Sequence, residues 1–83
     1  MQNNVVNLTN LKVKESGYIT KINGNLKLKT RLNELGFTKG TLVTILNVSS
    51  LKKSFLLEIR GCVLALRYEV VNLIEVLPSK EKN

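Results

Sequence analysis

Apolar residues recur at the helical interval over only one sustained stretch of this chain. Leu28, Leu32 and Leu35 fall at i, i+4 and i+7, with Lys27, Lys29, Arg31 and Glu34 off the stripe. The other long apolar segments alternate. Val43 and Ile45 alternate against Leu42, Thr44 and Leu46, and Phe55, Leu57 and Ile59 against Leu56, Glu58 and Arg60, the period of a half-buried strand. A chain of 83 residues has room for one core, so the pattern predicts a mainly β domain into which one helix is inserted.

Local signals divide the chain further. Leu8 and Leu11 behind the cap candidate Asn7 predict a short N-terminal helical turn, a lid, followed by a polar turn over 12–17. Ile19, Thr20 and Ile22 favour a strand over 18–22, closed by Asn23-Gly24-Asn25. The helix then occupies about residues 25–35. Gly36 ends it in the left-handed conformation and lets Phe37 pack back on Leu32. Thr38-Lys39-Gly40 makes a turn before a strand over 41–48. Residues 49–54 form a polar, basic loop, residues 55–60 a strand, and Gly61 a turn. A strand over 62–66, a short helical turn over 67–71 and a strand over 73–76 complete the core. About five short strands with one helix between the first and second fit a small, partly open barrel of the SH3-like kind, which removes most sheet edges. The single domain is expected to cover residues 1–77, and residues 78–83 to form a flexible charged tail.

What is missing excludes most chemistry. The chain has no His and no Asp, and its six glutamates are scattered over separate elements, so acid-base catalysis has no pair to rest on. Cys62, the lone cysteine, has no histidine to activate it and no second thiol for a zinc site; it reads as a small buried hydrophobe. The glycines form no phosphate-cradling loop. No catalytic, metal or cofactor residue is assigned. The longest apolar run, Cys62 to Leu66, is five residues, and no basic segment leads into an apolar one, which predicts neither a signal peptide nor a membrane span and favours the cytoplasm.

The net charge of +7 is unevenly spread: residues 17–40 hold five cations against Glu34 alone, whereas residues 61–83 balance. One side of the molecule is therefore expected to be positive, which suits an acidic protein surface, a nucleic acid or an anionic membrane.

The stretch from Arg31 to Gly40, Arg-Leu-Asn-Glu-Leu-Gly-Phe-Thr-Lys-Gly, followed by a β-branched strand and then by Arg60-Gly61 and Leu64-Ala65-Leu66-Arg67, resembles the FeoA family of small ferrous iron transport proteins. The resemblance runs from about Leu8 to Val76. It implies an SH3-like barrel with an inserted helix, acting in the cytoplasm, or recruited to the inner membrane face, on the iron permease FeoB through its GTP-binding domain or cytoplasmic surface. It implies no catalysis and no cofactor. A related barrel is attached to a DNA-binding domain in iron-dependent transcriptional repressors. Gly36, Gly40 and Gly61 match the family's glycine positions, and Leu32, Leu35, Phe37, Leu64 and Leu66 match its apolar ones, which are expected in the core. Lys39 stands where the family often has Pro.

The partner-binding residues expected on this reading are Lys27, Lys29 and Arg31 on the helix, with Lys52 and Lys53 in the loop. The alternative is a small basic nucleic-acid-binding barrel, in which Tyr18, Phe37, Phe55 and Tyr68 would have to supply stacking platforms. A third reading has Cys62 or glutamates holding iron directly, between chains.

Overall fold

The computed structural model describes residues 4–79. The elements in chain order are β1 (Val6–Asn7), a 3-10 turn (Leu8–Asn10), β2 (Ser16–Ile22), α1 (Leu26–Glu34), β3 (Leu42–Val48), a 3-10 turn (Ser50–Lys52), β4 (Ser54–Ile59), β5 (Cys62–Arg67), α2 (Tyr68–Val71) and β6 (Ile74–Pro78). The six strands form one sheet in the order β1-β6-β2-β3-β4-β5, antiparallel throughout. This is the expected mainly β, SH3-like, partly open barrel with the helix between the first two long strands, plus one strand more than the pattern predicts.

Two register shifts let the sheet curl, one between Ile19 and Lys21 against β6, the other between Ile45 and Asn47 against β4. An extra residue in one strand bends it and raises its twist. The curled sheet encloses Ile19, Val43, Ile45, Phe55, Leu57, Ile59, Ile74 and Val76, which belong to a core cluster that Leu8, Leu11, Leu32, Phe37 and Val71 complete. The alternation over β3 and β4 thus points as the sequence predicts, with Val43, Ile45 and Leu57 fully buried.

The additional strand lies at the N-terminus. Val6 pairs with Val76 and Asn7 with Glu75, a two-residue strand too short to show any period. Asn7 caps the following turn as expected, its Oδ1 accepting from the Thr9 backbone N–H at 2.9 Å and from the Thr9 hydroxyl at 2.7 Å. Its Nδ2 also donates to the Asn72 carbonyl at 2.6 Å, tying this segment to α2. Since Leu8 is wholly buried, the N-terminal segment is part of the core as well as a lid.

Helix α1 begins and ends where its signals lie. Asn25 Oδ1 accepts from the Leu28 N–H at 2.9 Å. At the other end Phe37 N–H donates to the Leu32 carbonyl at 2.9 Å and Gly36 N–H to the Asn33 carbonyl at 3.1 Å, the paired bonds of a Schellman stop. Gly36 has φ +108°, and a Cβ there would sit 3.3 Å from Arg60 Cδ. Gly36→Ala is therefore expected to cost about 1–2 kcal/mol, a left-handed residue's strain, and to lower the melting temperature by about 4–16 °C. A thermal melt of the variant with an unchanged midpoint would contradict this geometry.

Five residues depart from expectation. Leu35, expected in the core, is 48% exposed: a short straight helix meets the curved wall chiefly at Leu32, with Leu28 half-buried. Cys62, expected to be buried, is exposed because it opens the edge strand, where a residue has a neighbouring strand on one side only. Ser16 and Gly17, expected in a polar turn, belong to β2. Pro78, expected to start the tail, closes β6 opposite Gly17, and the Ser79 N–H still donates to the Ser16 carbonyl at 2.9 Å. Residues 80–83 of the expected tail lie outside the described residues.

Candidate partner-binding surface

Residues on α1 advance about 100° each, so Lys27 and Arg31, one turn apart, share a face while Lys29 projects about 160° away from Lys27. All three are exposed. The fold separates them accordingly. Lys29 lines a shallow groove of about 360 Å³ between α1 and β2, together with Lys21 from β2 and Lys39 from the turn before β3. Thr20, Thr30 and Asn33 add polar groups, over a floor that includes Ile19 and Phe37. Lys21 and Lys39 were visible in the sequence only as part of the positive count; the crossing of α1 over β2 is what brings them to Lys29.

Lys52 and Lys53 belong to a different surface. Their turn is pinned by Ser49 and Ser54: the Ser54 N–H donates to Ser49 Oγ and the Ser49 N–H to the Ser54 carbonyl, both at 2.9 Å. Within it Leu51 and Lys52 take φ +61° and +56°, and Leu51 is 85% exposed. Positive φ at two successive non-glycine residues is strained, and the serine clasp holds it. Beside this turn Arg67, Tyr68 and Glu69 complete an open groove of about 670 Å³. The Tyr68 N–H donates to the Lys53 carbonyl at 2.9 Å, joining the two walls. Arg67 is not among the binding residues expected from the sequence, and Tyr68 is expected only as a stacking platform of the nucleic-acid alternative, because nothing in their local sequence shows that the end of β5 delivers them to the loop.

The glutamates are dispersed. Glu15 Oε1 accepts from the Lys12 backbone N–H at 2.8 Å, and Glu75 Oε2 from Asn23 Nδ2 at 2.9 Å; both bonds hold turns. Among the described residues no three of His, Cys, Asp and Glu come close enough to hold a metal ion. No helix among them is long and apolar enough to cross a membrane.

A family model of the FeoA domain matches residues 6–78. The chain belongs to the FeoA family. A solution structure of an FeoA-like protein from Clostridium acetobutylicum superposes with a TM-score of 0.83 at 22% identity, covering 100% of this chain and 95% of that one. A crystal structure of an iron uptake regulatory protein (FeoA) gives 0.81 at 18% identity, covering 92% and 99%. The same fold recurs in a manganese-dependent transcriptional repressor, with a TM-score of 0.84 and 12% identity, where 95% of this chain corresponds to 39% of the repressor. At these identities the likeness is one of fold. No curated protein matches the chain.

The separated pieces on which the sequence resemblance rests have a structural explanation in this chain. They meet: Arg60, which with Gly61 forms the β4–β5 turn at φ +51° and +81°, lays its side chain over Gly36 at the end of α1. Gly40 at φ +88° turns the chain into β3 and donates to the Ile19 carbonyl. Leu32 and Phe37 are in the core, and Leu64 and Leu66 pack half-buried against it. The positions on which the resemblance rests thus meet at the joint between helix, turn and hairpin.

Proposed function

We propose that this FeoA protein is a non-catalytic accessory protein of ferrous iron uptake, which binds the cytoplasmic surface or GTP-binding domain of an FeoB-type permease. The observation that carries the reading is family membership over residues 6–78 combined with clustered surface lysines: Lys29 with Lys21 and Lys39 in one groove, Lys52 and Lys53 with Arg67 in the other. Such clusters favour an acidic protein surface and speed its capture. Lys27 and Arg31 extend the positive surface along the far side of α1. The work is done in the cytoplasm, with recruitment to the inner face of the membrane by the permease.

A nucleic-acid role is weaker on this fold. Phe37 and Phe55 are 0% and 1% exposed, which leaves Tyr18 and Tyr68 on separate elements as the accessible aromatics. A stacking track needs successive aromatic faces along one groove.

Calorimetric titration of the permease's purified cytoplasmic domain with this protein tests the reading. Reversing Lys27, Lys29 and Arg31 to Glu is expected to weaken binding by at least about tenfold, and reversing Lys52 and Lys53 to Glu separately reports on the second groove. No binding by the unaltered protein, or unchanged affinity in both variants, would remove the basic surface from the proposal.

A further inference from the structure

The sheet has two ends, and they are unequally guarded. β1 is only two residues long, a length that itself discourages pairing. β5 runs for six residues, Cys62–Arg67, with no Pro or Lys and no charge before Arg67. Its register with β4 is unbroken from Ser54 opposite Arg67 to Ile59 opposite Cys62, so no bulge twists the edge away. The two-residue turn makes Ile59 and Cys62 a hydrogen-bonded pair, and the bond from Tyr68 N–H to the Lys53 carbonyl fixes the same phase at the other end. The backbone groups of Val63, Ala65 and Arg67 consequently point to the free edge.

We infer that β5 is the interface of a symmetric dimer, in which β5 of a second copy adds antiparallel with Ala65 on the two-fold axis. Antiparallel addition must bring outward-pointing residues together, and this register pairs residues 63–67 of each copy, all of the strand but Cys62. Leu64 then meets Leu66 of the second copy on the inner face, where both leucines are half-buried. On the outer face Glu58 lies beside Val63, which is 57% exposed. Arg67 of the second copy falls opposite Val63, two strand spacings or about 10 Å from Glu58 at the backbone, so the two long side chains reach each other across the valine. Symmetry repeats the pair. The middle of the join is the uncharged strip 62–66, so the only cation that each of two chains of net charge +7 brings to the paired strands is Arg67, which lies toward Glu58 of the other copy. The groove holding Lys29 lies at β2, two strands beyond β4 in the sheet, and stays open in the dimer.

Sedimentation equilibrium of the full chain, from micromolar to near-millimolar concentration, is the test. The mass is expected to rise from 9.3 kDa to twice that value. Ala65→Pro removes an N–H that faces the free edge rather than β4, so this variant is expected to keep its fold and remain monomeric. Val63→Lys, at an exposed site, provides the same test without a backbone change. Glu58→Arg and Arg67→Glu are each expected to weaken dimerisation roughly fivefold, and together to restore it. A monomer at every concentration, or dimers of undiminished strength in Ala65→Pro and Val63→Lys, would overturn the interface. Failure of the double charge reversal to recover would overturn the register.

Discussion

Phe37→Ala is expected to remove about 3–5 kcal/mol of stability, the usual cost of truncating a fully buried aromatic ring. A domain of this length has about 4–12 kcal/mol in all, so much of the folded population is at stake. Phe37 is wholly buried, and its backbone N–H makes the bond to Leu32 that stops α1. Its side chain therefore fastens the end of the helix to the barrel. The melting temperature should fall by more than about 12 °C, and amide exchange should accelerate in α1 before it does in β3 and β4. Phe37→Leu, which keeps much of the volume, should lose far less. A small shift for Phe37→Ala, or uniform acceleration of exchange, would show that the ring does not fasten the helix.

Gly17→Ala is the second large expectation, and it concerns crowding rather than loss. A Cβ at Gly17 would lie 2.8 Å from Val76 Cγ2, 2.9 Å from Val76 Cβ and 3.3 Å from the Leu77 carbonyl oxygen. The first two contacts are with a β-branched side chain that has one firm rotamer preference, so the strands must separate. Overpacking of this kind costs about 1–3 kcal/mol, and Gly17→Val should exceed that range. Val76→Ala removes the Cγ2 contact at 2.8 Å and leaves the Cβ contact at 2.9 Å, so the double variant Gly17→Ala/Val76→Ala should recover part of the crowding and be less unstable than the two single losses predict, by about 0.5 kcal/mol or more. Strict additivity in chemical denaturation would place the crowding elsewhere.

These two residues also mark what the sequence could and could not disclose. Phe37 was readable because its signal is local: the leucine stripe, Gly36 as a stop and the residue after it lie within one short stretch. Asn7 and Asn25 were readable as caps for the same reason. Gly17 looked like part of a polar turn, since only the approach of β6 gives it a role. The extra strand β1 depends on Val76, far away in sequence, and has no period of its own. Leu35 satisfied the helical spacing but sits past the point where α1 touches the barrel, and Cys62 opens an apolar run that proved to be a sheet edge.

The site divides in the same way. Charge on Lys27, Lys29 and Arg31 was legible as a helical set, yet helix geometry sends Lys29 away from the other two and the fold gives it Lys21 and Lys39 instead. Lys52 and Lys53 were recognised as a basic loop. The wall opposite them, Arg67 at the end of β5 and Tyr68 at the start of α2, was legible only once the pairing of Ser54 with Arg67 was known.

The place of β6 between β1 and β2 has a consequence for how the molecule is made. The last strand of this domain in chain order is the one on which the first two must close, with Val6 waiting for Val76 and Ile22 for Ile74. A growing chain can form the β3–β4–β5 meander early, but β1 has no partner until β6 has been made. Contacts so distant in sequence are slow to form, and a chain stalled or clipped before Ile74 exposes the apolar side of an unfinished sheet. Such a fragment would be a substrate for cellular proteolysis, so the barrel's own closure doubles as a check that the domain was made through β6.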